Sequence, residues 1–436
     1  MCGCLTANWW PEPGIETIML KNYLMTAFKV YSRRKLFTAI NMLCIVLTLS
    51  VLLVVVALLQ TTFYPTGVEG KSERFVQIQS MLAVSKGKDI DNTRNSPLGY
   101  KIIDHYLRPM KSVEKVAAVT GINDVAVYQE RGVTTLSMRH ADANYWDILD
   151  FTVLAGRTPS HEDVDKGRFV VVINQSSAKK LFPELPLTTV VGQPLNIGGQ
   201  QFNVIGVVQD ALHLNAFSDI WAPVTTLPNN SYKTQVWGTF TALLLAKKAQ
   251  DIPAIQAEVQ EIAKRIMLDD AKQPPTIYLW ADNKLDFFAR LVSGNDQQAD
   301  SGAGTLLTGI VCVMLLFMLL PALNLINLNT GRILERSSEI GVRKAFGASS
   351  RQLVGQFVME NILLCTTGGI LGLLVAKGVL VWLGASGIIP YLQVELTLPV
   401  YAYGLLITVI FGLLSGVIPA WKMSRLDPVF ALKGSA

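Results

Sequence analysis

Gly70-Lys71-Ser72 sets a lysine and a hydroxyl behind a glycine, the residue types that grip phosphate in a nucleotide-binding loop. That loop needs a second glycine where this chain has Pro65, so the phosphate chemistry fails on spacing. Metal chemistry fares no better. His105, His140, His161 and His213 are scattered, and none forms an HExxH pair or joins a cysteine set. Cys2 and Cys4 in "MCGC" have no second ligand pair behind them. "HEDVDKG", starting at His161, is acidic, but it lacks the alternating ligands and closing glutamate of a calcium loop, so a solvated turn is expected. There is no GxSxG elbow to expose a nucleophile. These residues predict a non-catalytic chain.

The chain is 50% hydrophobic and only 16% charged over 436 residues, too apolar for a soluble protein of this size. Four apolar stretches reach the roughly 20 residues a membrane helix needs, at 36–60, 304–328, 355–384 and 400–421. Basic residues flank them unevenly. Lys29, Arg33, Arg34 and Lys35 precede the first, Arg332 to Arg351 separate the second from the third, and Lys422, Arg425 and Lys433 follow the fourth. The short segment 385–399 has none. Because Lys and Arg are retained in the cytoplasm, both termini are expected there, with residues 61–303 outside. That outer segment carries 24 basic against 26 acidic residues, so the net charge of +5 is a topology signal and gives no ground for a nucleic-acid partner. It holds no cysteine and must rely on a buried core.

The expected fold class is a membrane protein of four transmembrane α-helices with a large α+β domain between helices one and two. Residues 19–35 form an amphipathic basic helix suited to the cytoplasm or the headgroup plane. Residues 1–18 are read as a start-site artefact or a disordered tail. In the outer domain "RFVQIQSML", "DVAVYQ", "VTTLSMR", "RFVVVIN", "FNVIGVV", "DIWAPV" and "FTALLLAKK" read as strands, with a hairpin turning at Gly198-Gly199. Helices are expected at 175–182 and 252–270, the second with Ile252, Ile255, Val259, Ile262 and Ile266 on one face. In the apolar stretches Gly368, Gly369 and Gly372, and then Gly412 and Gly416, would let another helix come close, within one chain or across a dimer. Glu360 enters the third stretch near the inner leaflet and is expected to meet a basic residue of the preceding loop.

"ERSSEIGVRKAFGAS", followed by "RQLVGQFVMENILLCTTGGILGLLVA" and the ending "SGVIPAWKMSRLDPVFALK", resembles the FtsX/MacB family of ABC transporter permeases. "NYWDILDFTVLAGRTPSHEDVDKGRFVVVINQSSAKKLFPE" and "VVGQPLNIGGQQFNVIGVVQDA" resemble that family's MacB-type periplasmic core. The resemblance implies that residues 329–354 form a cytoplasmic coupling segment docking on an ATPase. Glu339 and Arg343 lie four apart and can pair, Ile340 is an apolar knob, and Arg336 and Lys344 offer charge. Gly341 belongs to the same signature, and Gly347 is the expected helix stop.

MacB carries its ATPase on the same chain, so the resemblance implies here an ABC ATPase supplied in trans. ATP and Mg²⁺ would be used by that partner, with no cofactor bound directly. It also implies a second permease, identical or paralogous, in a bacterial inner membrane, and a role in mechanotransmission. The MacB-like core favours efflux of a peptide, antibiotic or similar molecule with a periplasmic adaptor and an outer-membrane channel. The alternatives are a Lol-like lipoprotein-release permease and an FtsX-like regulator of a cell-wall hydrolase.

Overall fold

In the computed structural model, residues 35–85, 92–130, 132–268, 275–295, 297–335, 342, 346–347, 349–388 and 398–424 are described. The expected helix at 19–35 falls outside them except for Lys35. The chain divides into an outer unit, Leu59–Thr308 with Gly387–Gln393, and a helical unit, Met1–Leu58 with Gly309–Ser386 and Val394–Ala436.

Helix α1 (Lys35–Phe63) opens the described chain. The outer unit then builds a ten-stranded sheet and a three-stranded one. The strands are β1 (Phe75–Ile78), β2 (Ser80–Ser85), β3 (Asn92–Pro97), β4 (Val113–Thr120), β5 (Asn123–Gln129), β6 (Gly132–Ala141) and β7 (Val153–Gly156). They continue as β8 (Val170–Asn174), β9 (Pro194–Ile197), β10 (Gln200–Val208), β11 (Ile220–Pro223), β12 (Phe240–Ala246) and β13 (Thr276–Leu279). "RFVQIQSML" is not one strand, as expected, but two. The chain passes at Gln79 from β1, which pairs with β12, to β2, which pairs with β13 and β3. Residues on both faces of this stretch are buried, so the alternation that would have marked the crossing is missing.

The large sheet runs β1-β12-β4-β6-β11-β8-β10-β9-β5, and β5 returns to pair with β6. Six strands therefore form a closed ring of pairings around a core that includes Val127, Leu136, Ile173, Phe202 and Val204. The hairpin between β9 and β10 turns at Gly198 and Gly199 with φ of +58° and +89°, the left-handed region that glycine enters without steric cost. Helix α2 (Gln175–Leu181) is capped by Asn174, whose Oδ1 accepts from the Ser177 amide at 2.7 Å.

Helix α3 (Ile252–Ala263) buries Ile255, Val259 and Ile262. Each contributes roughly 1.5–3 kcal/mol by leaving water. The helix ends at Ala263, short of the expected 270, and residues 269–270 lie outside the described residues. After Ala263 the Arg265 amide donates to Ile262 O at 2.8 Å, a three-residue step that tightens the chain out of the helix, and Ile266 is buried just beyond this turn. "HEDVDKG" is solvated at His161, Glu162, Asp165 and Lys166, as expected, but it is more ordered than a turn. His161–Asp165 is a helical turn with a Ser160 capping box, and the Asp163 side chain is fully buried. It accepts from Arg157 and Arg168, and these bonds, led by Arg157, hold its carboxyl far below the usual carboxylate range.

Helix α4 (Lys284–Ser293) precedes the long α5 (Ala303–Glu335), and α6 (Ser350–Ser386) and α7 (Leu398–Ser424) complete the chain. Among the described residues, Thr38–Phe63 and Val354–Ser386 are long and apolar enough to cross a membrane. The described apolar stretches Ala303–Leu319 and Val400–Ile410, within α5 and α7, are shorter.

Candidate functional site

Two buried ion pairs organise the segments of the outer unit that continue α1 and lead towards α5. Beyond α1, the turn at Gly67–Glu69 places the fully buried Glu69 carboxylate 2.5 Å from Lys284 Nζ, in the first turn of α4. The second carboxylate oxygen accepts from the Asn215 amide at 2.7 Å, and Asn215 Oδ1 accepts from Gln77 Nε2 at 2.8 Å. Tyr145 OH donates to Asn215 O at 2.7 Å, and burial pushes its pKa up to about 12, so it remains a donor at neutral pH. His213 lies against Gly67, and burial keeps its imidazole below the ordinary histidine range.

The second pair lies two turns further along α4. Arg290 is 2% exposed; its Nε and Nη2 donate to the two oxygens of Asp282 at 2.7 and 3.2 Å. Its remaining N–H groups donate to the carbonyls of Asn295, Gln298 and Ala299. One guanidinium thus gathers the segment that runs into α5. Asp282 in turn exchanges backbone hydrogen bonds with Gln77, both at 2.8 Å, fixing the cluster to β1. Helix α4 starts at Asn283, whose Oδ1 accepts from the Asp286 amide, and ends at Gly294 with φ +69°. Its two ends are set by local sequence, and its charged residues are placed by tertiary contacts.

Sequence reasoning did not single out Glu69, Asp282, Lys284 or Arg290. The available signal was "NKLDFFARL", an amphipathic run with charges on its apolar side just before an apolar stretch. Lys71 and Ser72 of the failed phosphate motif have structural roles. Lys71 Nζ pairs with Asp150 at 2.7 Å, and Ser72 is buried in a turn.

In the helical unit, Gly368 and Gly372 face α1 and Gly369 faces α7. A Cβ on Gly368 would lie 2.8 Å from Ile45 Cγ2, and one on Gly369 would lie 2.7 Å from Thr408 Cγ2. At Gly372 the carbonyl accepts from Ser50 Oγ at 3.0 Å, a side-chain bond between helices of one chain. Gly404 makes a similar approach to Leu53. Gly412 and Gly416 lie in α7, and their surroundings fall outside the described residues. Glu360 is buried and accepts from Gln356 Nε2 at 3.1 Å. The loop expected to supply it with a basic partner falls mostly outside the described residues. So do Arg336, Glu339, Ile340, Gly341, Arg343 and Lys344 of the coupling segment. Gly347 is described, with φ +95°. The Phe346 amide donates to Val342 O at 3.0 Å just before it, one helical turn ahead of a left-handed glycine.

The profile of the MacB-like periplasmic core domain matches residues 38–262, and that of the FtsX-like permease C-terminal region matches 311–428. The chain belongs to the FtsX/MacB-type family of ABC permeases. Among its relatives is the macrolide export ATP-binding/permease protein MacB of Campylobacter jejuni, 24% identical over 97% of this chain and 63% of that protein. A MacB of Mannheimia succiniciproducens is 26% identical over 73% of this chain and 47% of its own length. The chain thus spans between about half and under two thirds of these MacB proteins. The permease YknZ of Bacillus subtilis is 25% identical over 75% of this chain and 77% of its own. The crystal structure of the periplasmic region of MacB from Actinobacillus actinomycetemcomitans covers 52% of this chain and 96% of that one, with 15% identity and a TM-score of 0.37. Family membership makes this permease a membrane protein with a periplasmic domain.

Proposed function

We propose that this chain is the non-catalytic permease subunit of an ABC transporter, passing the work of ATP hydrolysis in a separate ATPase to its periplasmic domain. The observation that carries this reading is the anchoring of α4 by two buried pairs, Glu69–Lys284 and Asp282–Arg290. A displacement of the chain on either side of the domain would be delivered to its packed interior and would not be lost in slack loops. The Bacillus relative is named as a permease alone, which supports an ATPase acting in trans. In this reading the chain crosses the inner membrane four times with both termini in the cytoplasm, and Arg336, Glu339, Ile340, Gly341, Arg343, Lys344 and Gly347 form the handle for the ATPase. That partner uses ATP and Mg²⁺. A second permease completes the unit, and the cargo is a peptide, antibiotic or similar molecule exported through an adaptor and an outer-membrane channel.

Affinity purification of the tagged full chain from its native host tests this reading. Recovery of an ABC ATPase with a membrane-fusion adaptor is expected, and Glu339→Ala with Arg343→Ala should lower the coupled ATPase rate. A wild-type chain that retains no ATPase overturns the assignment. A lipoprotein chaperone in place of the adaptor would move it to lipoprotein release, and a cell-wall hydrolase to regulation.

A further inference from the structure

Beside α4 the outer unit holds a cavity of 680 Å³ to which no role has yet been given. That volume is in the range of small-molecule pockets, about 300–1,000 Å³. One wall is aromatic: the rings of Tyr278 and Trp280 are stacked at 21° with centroids 5.6 Å apart. Gln256 and Gln260 of α3 also line it; their amide nitrogens donate to Ala281 O and Leu279 O, so each keeps an amide oxygen as an acceptor.

The charge of the lining has a definite sign. Arg290 and Asp282 neutralise each other in a two-bond pair, and Arg290 is saturated by carbonyls as well. Asp286 and Asp300 also line the cavity, and among the described residues neither has a basic side chain in ion-pair range. Each is held in place through one oxygen, Asp286 by Ser301 Oγ at 2.6 Å and Asp300 by the Gly302 amide at 3.0 Å. An anion entering here would face two carboxylates with no basic partner in range, Asp286 in the first turn of α4 and the exposed Asp300, and a neutral guest would make no use of their charge. A cation would lower the energy of both.

We propose that this cavity binds an organic cation, an amine or quaternary ammonium on a flat apolar body. The body lies against the Tyr278–Trp280 wall, and the charged end is directed to Asp286 and Asp300. The Arg290 guanidinium already lies 5.4 Å from the Trp280 ring centroid, so the wall serves mainly the apolar body and the carboxylates serve the charge. The site goes beyond the transport reading and stands without it, because binding requires neither an ATPase nor an adaptor.

The test uses the full chain in phosphatidylcholine nanodiscs without ATPase, titrated with benzyltrimethylammonium by equilibrium dialysis, with benzyl alcohol and benzoate as neutral and anionic counterparts. Saturable binding of the cation is expected, with both counterparts roughly tenfold weaker or more. Tyr278→Ala, and separately Asp286→Asn with Asp300→Asn, should each weaken the cation by roughly five- to tenfold. The carboxamide pair keeps shape and hydrogen bonds, so it reads charge without depending on refolding. Absence of saturable binding, equal binding of benzyl alcohol, or undiminished binding by the carboxamide pair overturns the proposal.

Discussion

Lys284 Nζ sits 2.5 Å from Glu69 Oε2, and both side chains are withdrawn from water, although 214 positions separate them along the chain. A charge left alone in such a place costs about 3–5 kcal/mol. Lys284→Met is therefore expected to lower the thermal midpoint of the full chain sharply. Lys284→Met combined with Glu69→Leu should recover much of the loss. Equal midpoints for the single and the double variant would show that the two charges do not depend on each other.

Gly156 and Gly206 oppose each other where β7 pairs with β10. A Cβ on Gly156 would lie 2.2 Å from Ile205 O, and one on Gly206 2.2 Å from Arg157 O. Backbone is met in both cases, so no side chain can move aside, and Gly156 also has φ +72°. Gly156→Ala and Gly206→Ala are each expected to prevent native folding, read as loss of the wild-type limited-proteolysis pattern. Thr241→Ala, on half-buried β12 surface, should leave that pattern intact.

Burial holds the His140 imidazole at about 4, against an ordinary value of 6.5. The unfolded chain therefore takes up a proton that the folded chain refuses as pH falls through this window, and stability falls with it. His213 is lowered by burial too and acts in the same direction. The Asp163 ion pairs are lost only at lower pH, because that carboxyl is depressed. Urea midpoints of the full chain should drop between pH 6.5 and 4, and His140→Gln should flatten the slope. Burial raises the Asp142 carboxyl and acts in the opposite direction, so the sign is read from the difference between the two proteins, and a His140→Gln slope as steep as the wild type's contradicts it.

Gly368 admits Ile45 of α1 so closely that an added methyl overpacks the site, at a cost of roughly 1–3 kcal/mol. Gly368→Ala should lower the thermal midpoint in nanodiscs, and Ile45→Ala in the same chain should restore part of it. Failure of that rescue would place the strain elsewhere.

The hydrophobic elements were the most legible in the sequence. The Val170–Asn174 run and the Gly198-Gly199 hairpin announce themselves through composition, and the helical face of Ile255, Val259 and Ile262 does so through spacing. β4 escaped notice because "VEKVAAVT" mixes charges and alanines without strict alternation, yet its second half is wholly buried, in a strand set between β12 and β6. The ion pairs escaped for a different reason. Glu69 and Lys284 each have ordinary surface-type neighbours in sequence, and only the fold brings them together. Gly368, Gly369 and Gly372 stand out in the sequence as a run of small residues, and in the structure each lies close to a neighbouring helix of the same chain.

The six-strand ring has a consequence for assembly. A sheet with a bare margin can recruit a strand from a neighbour through main-chain hydrogen bonds alone, whatever the neighbour's sequence. From β6 around to β5 every described strand has a partner on both sides, with β5 joined to β9 over two residues, so little margin is left to extend. Any protein that docks there has to recognise side chains, and docking on that part of the domain is selective by construction.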